Sequence, residues 1–128
     1  MKKWLCVMLA MLLLTACGQH NEETQEANSM NITAQEAKEI MDTQEGYVIL
    51  DTRTQEEYDQ GHIPGAVLLP YDEVLQKAET ILTDKNQLIL VYCRSGRRSK
   101  LAANDLVKLG YTNIKEFGGI IDWPYETE

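Results

Sequence analysis

The chain has 128 residues, and twenty acidic residues against twelve basic ones give it a net charge of −8. That length suits a single domain, and so acidic a surface excludes nucleic acid as a partner, because phosphate contacts need clustered basic charge. No Cys/His/carboxylate cluster has zinc spacing, so no metal site is expected.

Residues 1–16 read as an export signal. Lys2 and Lys3 precede an apolar run from Trp4 to Leu14. That run is too short to span a bilayer comfortably but suits the apolar core of a signal peptide. The quartet Leu14-Thr15-Ala16-Cys17 resembles the lipobox of bacterial lipoprotein signal peptides. The resemblance implies that Cys17 becomes the first mature residue and carries a diacyl lipid. The domain would then sit on the outer face of a bacterial cytoplasmic membrane, with the outer membrane as the alternative. An ordinary signal peptide with an incidental Cys17 is the competing reading. Cys6 would be discarded and Cys17 lipidated, which leaves Cys93 as the only free thiol of the mature chain and no intramolecular disulfide.

Residues 17–31 are polar and acidic without apolar periodicity, and read as a lipidated cysteine followed by a disordered tether. His20, Glu22, Glu23 and Glu26 are solvated there. The folded domain is expected over residues 32–128. Thr33 and Glu36 form a capping-box pattern before Ala37, Ile40 and Met41 at helical spacing. YVILD reads as a buried strand, and Thr54 with Glu57 opens a short second helix ending by Gly61. A short strand is expected around Ala66 to Leu69, and a helix from Tyr71 to Ile81. QLILVYC is continuously apolar, as a strand covered on both faces would be. The helix after it places Leu101, Ala102, Leu106 and Leu109 on one face, with Gly110 to end it. NIKEF is the last strand. Alternating strands and helices predict an α/β fold, a central and largely parallel sheet with helices on both faces.

In such folds ligands bind beyond the carboxyl ends of strands, and Cys93 stands at one. Four of the twelve basic residues fall in the seven positions after it, in VYCRSGRRSK. A loop curling around the sulfur would point successive N–H groups inward as an anion-binding nest. A helix beginning near Arg98 or Ser99 adds its unpaired donors and positive end. Gly96 supplies the φ freedom for the curl. With the guanidinium groups nearby, all of this favours thiolate over thiol. Such a nucleophile could attack a sulfane sulfur or a phosphorus atom.

Asp51-x-Arg53, Glu57-Tyr58 with GHIPGA, CRSGRRS after an apolar strand, and GGI followed by Trp123 occur together in that order. With these motifs the stretch from Ile32 to Trp123 resembles a single rhodanese homology domain. The resemblance implies a sulfurtransferase that moves a sulfane sulfur through a Cys93 persulfide, from thiosulfate or a persulfide to a thiol or cyanide acceptor. The sulfurtransferase loop of the family has six residues, here Cys93 to Arg98. The phosphatase-like branch needs an arginine one position later, where this chain has Ser99. Catalysis is therefore assigned to Cys93, and binding of the anionic donor to Arg94, Ser95, Gly96, Arg97, Arg98 and Ser99. Arg98 matches the loop-closing arginine of the family, and Ser99 either orients the persulfide or caps the helix. Asp51 and Arg53 are expected to pair and support the site, with direct substrate contact by Arg53 as the alternative. His62 is read as structural, and Phe117 and Trp123 as packing. A sulfur-relay or thiol-redox partner with little turnover is the alternative function.

Overall fold

The computed structural model describes residues 29–128, and the stretch expected to be an export signal, Cys6, Cys17 and His20 lie outside them. Five parallel strands form one sheet in the order β1-β5-β4-β2-β3. They are β1 (Ser29–Asn31), β2 (Val48–Asp51), β3 (Val67–Leu68), β4 (Ile89–Cys93) and β5 (Ile114–Gly119). The helices are α1 (Ala34–Thr43), α2 (Gln55–Asp59), α3 (Val74–Ile81) and α4 (Arg97–Lys108).

Strand β4 is central and buried along its whole length. Its side chains alternate between two cores, as a period of two requires. Ile89 and Val91 join Leu50, Ala102 and Leu106 in the core beneath α3 and α4. Leu90 and Tyr92 join Ala37, Ile49, Phe117 and Trp123 in the core beneath α1 and the C-terminal segment. The sheet is thus covered on both faces by helices. Cys93, one step beyond Tyr92, falls on the α4 side.

Local signals explain the helix starts. Thr33 Oγ1 accepts the Glu36 N–H at 3.0 Å to open α1. At α2 the Thr54 and Glu57 capping box closes in both directions, which satisfies two of the orphan donors of a helix only five residues long.

Three expectations are corrected. Residues 29–31, read as tether, form β1, which pairs with β5 from Ser29 opposite Ile114 to Asn31 opposite Glu116. Three residues are too few for an apolar alternation to reveal a strand. Leu101 is 42% exposed, and the buried face of α4 is instead Ser99, Ala102, Ala103 and Leu106. At 3.6 residues per turn Leu101 lies about 140° around the helix from Leu106, so the two cannot share a buried face. The expected Tyr71–Ile81 helix divides into a 3-10 turn over Tyr71–Glu73 and then α3.

Candidate active site

Cys93 ends β4, and the loop Arg94-Ser95-Gly96 folds over it into α4. Gly96 takes φ +107°, a left-handed conformation that favours glycine, and caps the helix without a side-chain bond. That curl aims amides at the sulfur. The Gly96 N–H donates to Sγ at 3.0 Å. Ser99 Oγ lies 3.3 Å from Sγ, where it accepts from a thiol and can donate to a thiolate. Burial, with Cys93 only 1% exposed, raises the thiol pKa. Hydrogen bonds from the Ser99 hydroxyl and the amides of Ser99, Gly96 and Ser95 outweigh it and lower the pKa below the ordinary value.

The end of β5 braces this loop from behind. Cys93 pairs with Gly119 after a shift of register beyond Val91, and the Ile121 N–H donates to the Arg94 carbonyl at 3.2 Å. A Cβ on Gly119 would overlap the Arg94 carbonyl and the Ser95 amide, so the GGI motif is a close-approach motif rather than a turn alone.

The arginines separate into two kinds. Arg94 and Arg97 are exposed at the rim, with Ser95 between them. Arg98 was expected to bind the donor, and the geometry corrects that reading. Its Nη1 and Nη2 donate to Glu57 Oε1 and Oε2 at 2.6 and 2.9 Å. Arg98 remains within electrostatic range of Cys93 and Asp51, but its fork is filled by a carboxylate of its own chain. Glu57 therefore serves twice, as the third residue of the α2 capping box and as the anchor of the loop helix. Ser99 does not cap α4. It is buried at the third helical position, against the sulfur and Glu116.

Asp51 and Arg53 form a buried ion pair, with Nη2 2.7 Å from Oδ2. The Tyr92 hydroxyl donates to Asp51 Oδ2 at 2.6 Å and accepts the Ile63 N–H at 3.1 Å. Arg53 Nη2 also donates to the Gly61 carbonyl at 2.7 Å. This cluster ties the strand ends to the GHIPGA turn through Arg53 Nε and Nη2, while among the described residues Nη1 has no hydrogen-bond partner. His62 is structural in the same sense. Its ring stacks on Tyr58 at 3.8 Å, and its backbone exchanges hydrogen bonds with Glu128 at 2.9 and 2.8 Å. Phe117 and Trp123 are core residues. Glu57, Tyr92, Glu116 and Gly119 were not singled out as site residues from sequence, although each touches the site or its supports.

A strand, an amide-lined loop and a helix start around one buried sulfur define the candidate site of this α/β domain. The rhodanese-like domain family matches residues 33–124, and the chain belongs to that family. The YrkF protein of Bacillus subtilis (strain 168), whose name proposes a sulfur-carrier role, is 38% identical over 113 residues. That match covers 87% of this chain but 59% of the relative, so the chain spans under two thirds of its length. The thiosulfate sulfurtransferase PspE of Escherichia coli (strain K12) is 40% identical over 73 residues, 57% of this chain and 70% of that protein. A solved structure described as rhodanese with anions from E. coli superposes with a TM-score of 0.60 at 35% identity, covering 64% of this chain and 96% of that one. The relatives' names support sulfur transfer as the general class of activity.

Proposed function

We propose that the domain is a thiosulfate or persulfide sulfurtransferase acting through Cys93. The observation that carries this reading is the sulfur at the end of β4, hydrogen-bonded by the Gly96 amide and beside Ser99, surroundings that favour its ionised form. The thiolate electron pair attacks the outer sulfur of thiosulfate. The sulfur–sulfur bond of the donor breaks, and sulfite leaves with its electrons. Cys93 then bears a terminal anionic sulfur in the amide nest, where a thiolate or cyanide takes it and restores the original thiolate. Arg94 and Arg97 draw the anionic donor to the rim.

A sulfur relay is the second reading, favoured by the filled fork of Arg98, which leaves one cation fewer to hold a small anionic donor. Thiosulfate:cyanide turnover near zero in folded, reduced protein would select the relay.

We also infer that Cys17 is lipidated and holds the domain on the outer face of a membrane. The support is the Leu14-to-Cys17 pattern after an apolar signal, and two acyl chains suffice for stable anchoring.

Intact-mass analysis tests both inferences. Thiosulfate treatment should add one sulfur to the wild type, removable by cyanide, and none to Cys93→Ser. Sulfur retained in the variant would place the reaction elsewhere. Protein extracted from membranes should carry a diacylglycerol on Cys17, and an unmodified residue there ends the anchoring inference.

A further inference from the structure

Glu116 is a buried ionisable group that the chemistry above does not use. It is 3% exposed. The alternation of β5 puts it on the α4 face with Ile114, opposite Val91 of β4. The Ser99 hydroxyl donates to Glu116 Oε1 at 2.6 Å, and the Gly118 N–H donates to the same oxygen at 2.8 Å. Among the described residues, no salt bridge reaches this carboxylate. An acceptor for the Gly118 amide alone would not need a charge, and burying one without a cation is costly.

The Ser99 hydroxyl has two acceptors close by, Glu116 Oε1 at 2.6 Å and the Gly96 carbonyl at 3.0 Å; with its hydrogen on the nearer and charged one, its lone pair receives the Cys93 S–H. Sulfur, hydroxyl and carboxylate thus form one chain of hydrogen bonds. We propose that Glu116 is a positioning residue that takes up the Cys93 proton through Ser99, so that thiol and carboxyl share one proton. The proposal rests on Cys93 being the nucleophile of the sulfur-transfer reading. In the step, the S–H bond breaks and its electron pair stays on sulfur. The proton bonds to Ser99 Oγ while the former hydroxyl proton bonds to Glu116. The product is a thiolate accepting from Ser99, and Ser99 accepting from a neutral carboxylic acid. No proton is lost to solvent, and no second negative charge is created beside the first.

The charged groups around the chain are Arg98 and Lys100 on α4, which also carries Lys108. On β2 and after it stand Asp51 and Arg53, and on α2 Glu57. Asp51 is paired with Arg53, and Glu57 with Arg98. Lys100, Lys108 and Asn31 border a groove of about 660 Å³ that Glu116 also lines. That groove is the way out for the shared proton when the pair finally loses it.

The test is the pH dependence of Cys93 alkylation by iodoacetamide, on wild type and Glu116→Gln, with melting curves recorded for both. The wild-type rate should rise in two steps separated by a plateau, because the pair loses one proton at each. Glu116→Gln should lose one step and rise in a single sigmoid. A single step in the wild type, or two steps in the variant, overturns the proposal. Should Glu116→Gln fail to fold, the Glu116 carboxyl carbon followed by NMR in the wild type decides. Its signal should move at both alkylation midpoints, and movement at only one overturns the proposal. Alkylation needs no sulfur donor, so failure of thiosulfate to load Cys93 would sink the transfer reading without altering these profiles.

Discussion

At Cys93 burial favours the neutral thiol, while the Ser99 hydroxyl and three main-chain amides favour the thiolate. The cations that crowd the sequence around this residue act less directly than their number suggests. Arg94 and Arg97 point into solvent at the rim, and Arg98 is held by Glu57. That ion pair has its own pH signature. The Arg98 hydrogen bonds pull the Glu57 carboxyl from 4.5 down to about 2. A folded pKa below the unfolded one stabilises the fold fully above the unfolded value, and the gain disappears as pH falls through the folded value. Glu57→Gln keeps a capping side chain but loses the pair. It should cost about 1 kcal/mol or less at neutral pH, since the pair is partly exposed. Urea unfolding should show that cost shrinking to nothing between pH 4.5 and about 2. An unchanged difference across that window would mean the ion pair contributes nothing.

At the level of elements, the loop between β4 and α4 is shaped by what lies behind it. Gly119 is extended, with φ −135°, so its role is space rather than backbone freedom. A methyl there must displace the Arg94 carbonyl or the Ser95 amide, and neither belongs to a flexible side-chain end. Gly119→Ala should destabilise the fold by about 1–3 kcal/mol. It should also reduce sulfur loading of Cys93 at least tenfold, about 1.4 kcal/mol, because the nest amides move with the loop. Gly96→Ala, by contrast, meets only ordinary contact with Gly118 Cα at 3.5 Å and pays for its positive φ. Equal losses of loading in unfolding-corrected assays would argue against a special role for the Gly119 contact. Helix and strand periods were legible in Ala37 and Ile40, in QLILVYC and in the Thr54 capping box. The 3-10 turn before α3 was not, because helix starts shift by a residue or two on local caps, and the exposed Leu101 was not, because only the packing of α4 chose the face with Ser99 and Ala103.

The whole sheet is held at one edge by a strand that the composition gave no reason to expect. Ser29, Met30 and Asn31 are parallel to Ile114, Lys115 and Glu116, and they cover the strand that carries the buried carboxylate. A chain beginning at Ile32 should lose about 1–2 kcal/mol in urea unfolding, a few backbone hydrogen bonds' worth. Unaltered stability would make β1 an ornament of the edge. The alternation of β5 did contain a sign of Glu116, since Ile114 and Glu116 share a face and the first is core. A charge at an inward position signals a buried polar contact, but only the packing of α4 says which.

From the sequence alone came the α/β alternation, the cysteine at a strand end, the glycine that lets the loop curl and the family resemblance. These are local properties, set by periodicity and by the chemistry of a few adjacent residues. The partners of those residues came only with the tertiary structure. Glu57 meets Arg98 across 41 positions and Tyr92 meets Asp51 across 41, while Ser99 meets Glu116 across 17. Contacts so far apart in the chain are chosen by sheet order and helix placement, and no neighbouring residue encodes them.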